Sequence, residues 1–477
     1  MKYRIMSARY FYLKAVLLCA ALLLSINVSA NISLPAIFGK HMVMQQNSEV
    51  KLWGWGKPLE NVYVTTTWSA DTLHTVVDQN GNWSVFINTP AAGQIHEVSI
   101  QGYNKLTISD ILMGEVWLCS GQSNMEWSVN HGINNGEEAA KQAENNEIRL
   151  FHVVWRSAPY PNIDLKGQWV KCTPETMHPF SAIAYFFGKE LNDKTGYPVG
   201  LISSNWGGTP VESWIPEYEI KSRKALDAAA NKLPHFAWAP NEVAYTYNAM
   251  IAPLLPFKIK GVLWYQGEAN VDNAWAYADM LELLVKTWRE KFNTDFAFYY
   301  AQIAPYMHYQ NDDGVKVRDA QRRALDVIPN SGMALMSDIG DTADIHPRMK
   351  LEAGQRFAQL ALNKTYGYGD YPASGPLYIG HEIKDNNVIV SFSYAKGLHG
   401  TNKTISGFEV AGEDMLWHPA NAIIKKNKVI VYSDDVQQPV YVRFEWKNSV
   451  IPNLFNESGL PASSFTSFEW RNVKHSL

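Results

Sequence analysis

Ser123 lies in "LCSGQSNMEW" (118–127), with Gly121 and Gln122 before it and Asn124 after it. A hydroxyl becomes a nucleophile only when a base within hydrogen-bond reach takes its proton. His346, in "DIGDTADIHPRMK" (338–350), is a candidate base, because an unperturbed imidazole titrates near ~6.5. A carboxylate on the other ring nitrogen would fix the tautomer and stabilise the imidazolium. Acyl transfer also needs preorganised donors for the tetrahedral oxyanion, and losing one typically costs about 10²–10³ in rate. The backbone N–H of Gly208 in "NWGGTP" (205–210) and the side-chain amides of Gln266 and Asn270 in "QGEAN" (266–270) are the candidates. Pro347 directly after His346 suits the first turn of a helix, which would place the histidine at a helix entrance. Taken singly, each group has a plainer reading as a turn or a cap. Their joint occurrence after successive apolar runs is what favours chemistry.

Those runs are the elements that must position the groups. "EVWLCS" (115–120), "PVGLISS" (198–204), "IKGVLWY" (259–265), "FAFYYAQI" (296–303) and "GMALMSD" (332–338) read as buried strands. Helical segments lie between them; the clearest runs from Trp275 to Phe292, with Leu281, Leu284, Val285 and Trp288 on one face. Strands alternating with helices indicate an α/β layer with a mostly parallel sheet. In such sheets ligands bind outside the carboxyl ends of the strands, where the serine, glycine, amide and histidine loops would emerge. Residues 31–107 read as an N-terminal β domain, including a hairpin over 74–87 turning at Asn80-Gly81. The α/β domain spans 108–375, and a β-rich region occupies 376–477.

The first thirty residues carry Lys2, Arg4, Arg9 and Lys14, then the apolar "AVLLCAALLL" (15–24) and the small residues "VSA" (28–30). This is the pattern of a cleaved signal peptide, so the mature chain is expected to be exported, periplasmic or secreted, without a membrane anchor. Cleavage removes four of the 42 basic residues against 46 acidic ones, leaving a net charge of −8. That balance argues against a nucleic-acid partner, which requires clustered Lys and Arg. Cys119 and Cys172 survive processing and read as two small buried thiols. Asp338, Asp341 and Asp344 lack the alternating ligand spacing of an EF-hand, so no metal is expected. Neither G-x-S-x-G nor H-E-x-x-H occurs.

"GEVWLCSGQSNMEW" (114–127), "GLISSNWGGTPVESW" (200–214), "KGVLWYQGEAN" (260–270) and "DIHPRMK" (344–350) resemble the blocks of the sialate O-acetylesterase family, a branch of the SGNH hydrolase superfamily. The resemblance extends to "MVMQQNSEVKLWGWG" (42–56) and "ISGFEVAGEDMLWHPA" (405–420), and so covers nearly the whole mature chain. It implies an SGNH-like three-layer α/β core flanked by sandwich-like β regions. It also implies Ser123 as nucleophile, His346 as base, and Gly208 with the Gln266–Asn270 loop near the oxyanion. One departure concerns the acid. Many superfamily members carry it three residues before the histidine, where this chain has Ala343. Asp344 is the expected orienting carboxylate; Asp341, Asp338 or a Ser-His dyad are alternatives. The superfamily block of Asn followed by Asp is also missing, which leaves the division between Gln266 and Asn270 open.

The implied reaction is hydrolysis of an O-acetyl ester on a sugar or glycan, without a cofactor. Aromatic residues form 13% of the chain, and Trp127, Trp206, Trp214 and Trp264 flank the proposed loops. Flat amphipathic rings suit sugars, and Trp127 is the foremost candidate for substrate binding. Arg348, or else Arg322 or Arg323, could take the carboxylate of a sialic acid. The resemblance favours 9-O-acetylated sialic acids. Acetylated plant polysaccharide such as xylan is the alternative substrate, and a non-catalytic carbohydrate-binding protein the alternative class. Nothing in the sequence assigns an oligomeric state.

Overall fold

Three parallel strands end level with one another, and that alignment creates the site. In a computed structural model, which describes residues 31–472 apart from His235 and 402–404, Asn205 pairs with Gly121, and Gly121 with Tyr265. The strands are β1 (Lys105–Gly121), β4 (Val199–Asn205) and β5 (Gly261–Tyr265). With β2 (Asn145–His152), β3 (Trp169–Cys172), β6 (Ala297–Ala301) and β7 (Ser331–Ala334) they run in the order β7-β6-β5-β1-β4-β2-β3. Every pairing is parallel except β2 with β3. The chain leaves β1 toward β2 and β4, then returns to build the other side, so β1 is a topological switch point. Such points open a crevice at the carboxyl ends of the strands.

Helices cover both faces of the sheet. On one, α2 (Ala182–Thr195) packs Phe187 on Trp117 of β1. Beside it, α5 (Lys350–Lys364) comes so close at Gly354 that a Cβ there would lie 2.6 Å from Phe186. On the other face, α3 (Ala274–Phe292) sets Trp288 edge-on to Trp264 of β5, and α4 (Asp313–Ala324) lies nearby. The expected helix from Trp275 to Phe292 is therefore present almost residue for residue. The result is the three-layer α/β architecture.

The described residues fall into two compact units. One takes residues up to Leu34 with Trp53–Val85 and Val98–Thr107, the other Pro35–Leu52, Phe86–Glu97 and everything from Ile108. In the first, strand Asn61–Thr66 pairs antiparallel with Ser69–Val76 and with Ile95–Gln101, burying Val62, Val64 and Ile100. The turn at Asn80-Gly81 forms, with Gly81 at φ +82°, but the expected hairpin does not. Ser69–Val76 pairs with Asn61–Thr66, whereas Asn82–Asn88 pairs with Glu49–Trp55. The reason lies in burial: Asn82–Asn88 buries alternate residues, while Ser69–Val76 exposes most of its side chains. The two strands therefore serve different sheets.

The second unit also holds the C-terminal strands. Two antiparallel four-stranded sheets enclose Val388, Val390, Val410, Val429, Val442 and Phe444. Buried polar contacts tie this region to the α/β core: Arg318 of α4 donates to the carbonyls of Lys447 and Asn448, and Gln302 to Ser463 at 2.7 Å. Cys119 and Cys172 are free and buried; burial pushes the Cys172 thiol up to about 12. The expected leader lies outside the described residues. No described helix is long and apolar enough to cross a membrane.

Candidate active site

Gly121 lets the first loop begin. Its φ is +133°, and a Cβ there would lie 2.1 Å from the Tyr265 carbonyl oxygen; only glycine fits so close to a neighbouring strand. The chain then turns. Gln122 N–H donates to the Tyr265 carbonyl (2.9 Å), and Ser123 opens the single-turn helix α1 (Ser123–Glu126). From β4, Trp206 N–H donates to the Gly121 carbonyl (3.1 Å). Gly207 follows, its N–H held by Glu126 Oε2 at 2.6 Å and its Cα facing the Ser123 side chain.

His346 arrives from 223 residues away, and its Nε2 lies 2.9 Å from Ser123 Oγ. An imidazole at that distance can take the hydroxyl proton. Burial, and next the charge of Lys350, hold the His346 pKa below its ordinary value. Asp344 accepts the His346 backbone N–H at 2.9 Å, and its Oδ1 stands 3.8 Å from ring Nδ1. That is ion-pair reach but not a hydrogen bond. Of the three loop aspartates, Asp338 is clamped by Arg356 through two 2.6 Å bonds and Asp341 caps its own turn. Only Asp344 is close to the ring. His346 does not stand at a helix entrance: α5 begins at Lys350, and the preceding segment is held instead by Asn134 N–H donating to the Arg348 carbonyl (3.0 Å).

The two side-chain amides expected at the oxyanion donate inward. Gln266 Nε2 gives its hydrogens to Asn270 Oδ1 (2.7 Å) and the Thr209 carbonyl (3.3 Å). Asn270 Nδ2 donates to Glu212 (2.8 Å) and Asn273 (3.0 Å). Glu212 is fully buried, and a buried carboxylate must collect donors; it draws the Asn270 amide away from the crevice, and Gln266 follows by donating to Asn270. Among the described residues, the N–H groups of Ser123 and Gly208 donate to no protein acceptor, and Gly208 directly follows Gly207, which lies against the Ser123 side chain. No residue type marks the Ser123 amide as a donor in the sequence, whereas Gly208 belongs to a visible Gly-Gly pair.

Trp127 also has a different place from the one expected. Its ring stacks on His346 (4.6 Å, 18°) and His131 (5.3 Å, 16°), with the Lys350 ammonium 5.4 Å from its centre. It braces the imidazole rather than offering a free face to a sugar. Trp214 and Trp264 are core residues without exposure. Trp206 remains, stacked on Trp155. Arg348 is exposed, with a guanidinium nitrogen beside Gly132. Among the described residues, no three His, Cys, Asp or Glu are grouped to hold a metal ion. A cavity of about 640 Å³ does exist, lined by Glu115, Lys258, Lys260 and Tyr366. It lies at the amino ends of β4, β5 and β6, away from Ser123 and His346, where α/β sheets rarely bind ligands.

Residues 113–363 match the family described as "Carbohydrate esterase, sialic acid-specific acetylesterase". The chain belongs to this family. It is 29% identical to the sialate O-acetylesterase of Homo sapiens, covering 90% of this chain and 91% of that protein. Against the Rattus norvegicus sialate O-acetylesterase the identity is 27%, over 90% and 92%. A crystal structure of a carbohydrate acetylesterase from Xanthomonas citri superposes with a TM-score of 0.84 at 31% identity, covering 92% of this chain and all of that one. The chain is thus an esterase for acetyl groups on sugars, and the non-catalytic reading falls.

One feature of the esterase's site left no signal recognised in the sequence. Asn124 Nδ2 donates to Glu268 Oε1 (2.6 Å) and to the carbonyl of Ile345 (3.0 Å), the residue before His346. Its Oδ1 accepts from Lys350 Nζ at 2.7 Å. All three side chains are buried. Burial lowers the Lys350 pKa to about 7 and raises that of Glu268. One amide thereby joins the serine loop to the histidine loop. The available hint was the position of Asn124, directly after Ser123 in the loop that leaves the sheet edge.

Proposed function

We propose that the esterase removes O-acetyl groups from sialic acids, the 9-O position foremost, through an acetyl-serine intermediate, and that it works outside the cytoplasm. The observation that carries the mechanism is the 2.9 Å approach of His346 Nε2 to Ser123 Oγ. Ser123 Oγ attacks the acetyl carbonyl carbon as His346 takes its proton. The N–H groups of Ser123 and Gly208 receive the developing oxyanion. The imidazolium, with Asp344 as its nearby carboxylate, protonates the departing sugar oxygen. Water then attacks the acetyl-serine with His346 again as base, releasing acetate and restoring the hydroxyl. Arg348, exposed and without an ion pair among the described residues, is the proposed anchor for the sialic acid carboxylate. The basic, apolar, small-residue leader supports export.

The substrate is tested by acetate release from 9-O-acetylated sialoglycan and from acetylated xylan at equal acetyl concentration. Faster release from the sialoglycan is expected; faster release from xylan ends the sialate assignment. Gly208→Ala is expected to lower kcat by about 10²-fold. The residue sits at φ +74°, a conformation that L side chains rarely adopt, and a Cβ would also lie 2.1 Å from the Trp238 ring, so the strained backbone is expected to shift the amide. Steady-state kinetics on p-nitrophenyl acetate measures it. The pH dependence has a definite sign. His346 must be neutral to act as base, and its pKa is held down by burial and Lys350. The acid limb of kcat/KM is therefore expected below ~6.5, and a limb above that value contradicts the assignment of His346.

A further inference from the structure

Whatever carries the acetyl group must extend away from Ser123, and aromatic rings stand beside the loop it meets. Trp206, whose N–H is bound to Gly121, stacks almost parallel on Trp155 (5.3 Å, 7°). Trp155 is fixed at its edge by Nε1 donating to the Asn205 carbonyl (3.0 Å) and is 48% exposed. With one face on Trp206, its exposure lies on the other. From a separate segment further along the chain, the Trp238 ring covers Gly208, stacks on Phe236 (5.3 Å, 27°) and is 65% exposed. Two stacked pairs therefore flank Gly207-Gly208, each with a ring left open to solvent.

The Trp155 ring is held rather than loose. The segment carrying Trp155 is pinned by Val154 N–H to the Lys166 carbonyl (2.9 Å), Asn162 N–H to the Asn248 carbonyl (2.8 Å) and Asn248 Nδ2 to the Ala158 carbonyl (3.1 Å). Exposed indoles cost solvation, and clusters of them mark binding surfaces. A flat ring with a polar rim matches the apolar face of a pyranose. Lipid or peptide is disfavoured because the adjoining chemistry deacetylates sugars.

We propose that Trp155, backed by Trp206, is a sugar-ring platform outside the acetyl site, and that the esterase prefers acetylated sugars carried on a glycan chain to free monosaccharides. The proposal rests on Ser123 being the nucleophile, and its test is separable from that assignment. The substrates are a free acetylated monosaccharide and the same sugar at the end of an oligosaccharide: 9-O-acetylated sialic acid and its sialyllactose form, or acetylated xylose and xylotetraose, whichever series is hydrolysed. Wild type is expected to show a KM about tenfold lower for the oligosaccharide, the effect of one stacked ring. Trp155→Ala should lower the ratio of oligosaccharide to p-nitrophenyl acetate kcat/KM by about tenfold, and Trp155→Phe should restore most of it. Equal KM for monosaccharide and oligosaccharide in wild type overturns the platform, as does a Trp155→Ala variant that loses activity equally on all substrates. A Ser123→Ala variant that keeps its activity would instead overturn the nucleophile.

Discussion

Replacing Ser123 by alanine is expected to lower kcat/KM for p-nitrophenyl acetate by at least ~10³-fold, with His346→Ala close behind. The double variant should be scarcely worse than either single one. The reason is that hydroxyl and imidazole act as one device: without the base the hydroxyl stays protonated, and without the hydroxyl the base has no proton to take. Independent, multiplying losses would mean that the 2.9 Å contact between them is not the catalytic one. Asp344 should matter less. Its carboxylate is 43% exposed and stands 3.8 Å from Nδ1, so solvent screens the interaction. Asp344→Asn is expected to be the mildest of the three site substitutions in the same assay, and a loss equal to that of His346→Ala would restore a full triad.

The second large effect is predicted at Asn124. Replacement by alanine deprives the buried Lys350 ammonium of its 2.7 Å acceptor and Glu268 of its 2.6 Å donor, and cuts the bond to the Ile345 carbonyl. Leaving charged groups unsatisfied in the interior costs about 3 kcal/mol. Freeing the loop before His346 shifts the base, and a displacement of about 1 Å costs on the order of 10² in rate. Both losses are expected together: a lower denaturation midpoint and a reduced kcat. Unchanged kcat in a folded Asn124→Ala variant would show that the histidine loop is positioned by other contacts. Lys350 is part of the same balance. Its positive charge lowers the His346 pKa, so Lys350→Met should move the acid limb of kcat/KM upward.

The layer that carries the chemistry was legible in the chain because its signals are local. Runs such as "KGVLWY" have no polar residue able to face water beyond their ends, so each becomes a buried strand, and polar glycine-containing loops must follow. The predicted strands at 115–120, 198–204, 259–265, 296–303 and 332–338 all overlap observed ones, although the first observed strand begins ten residues earlier, at Lys105. The hairpin at 74–87 misled because a turn dipeptide reports only its own backbone; the partner of each strand is chosen by distant side chains competing for burial.

By itself, the sequence determined the α/β layer, the loops at its carboxyl edge and, through four quoted blocks, the family. Only the tertiary structure decided how the groups in those loops are used. It set His346 against Ser123, turned Gln266 inward to Asn270 and Asn270 to Glu212, and made Trp127 a brace while Trp155 became the open ring. The physical reason is that a strand's burial follows from its own residues. A polar side chain instead settles wherever its hydrogen bonds can be satisfied, and those partners come from segments that only folding brings together.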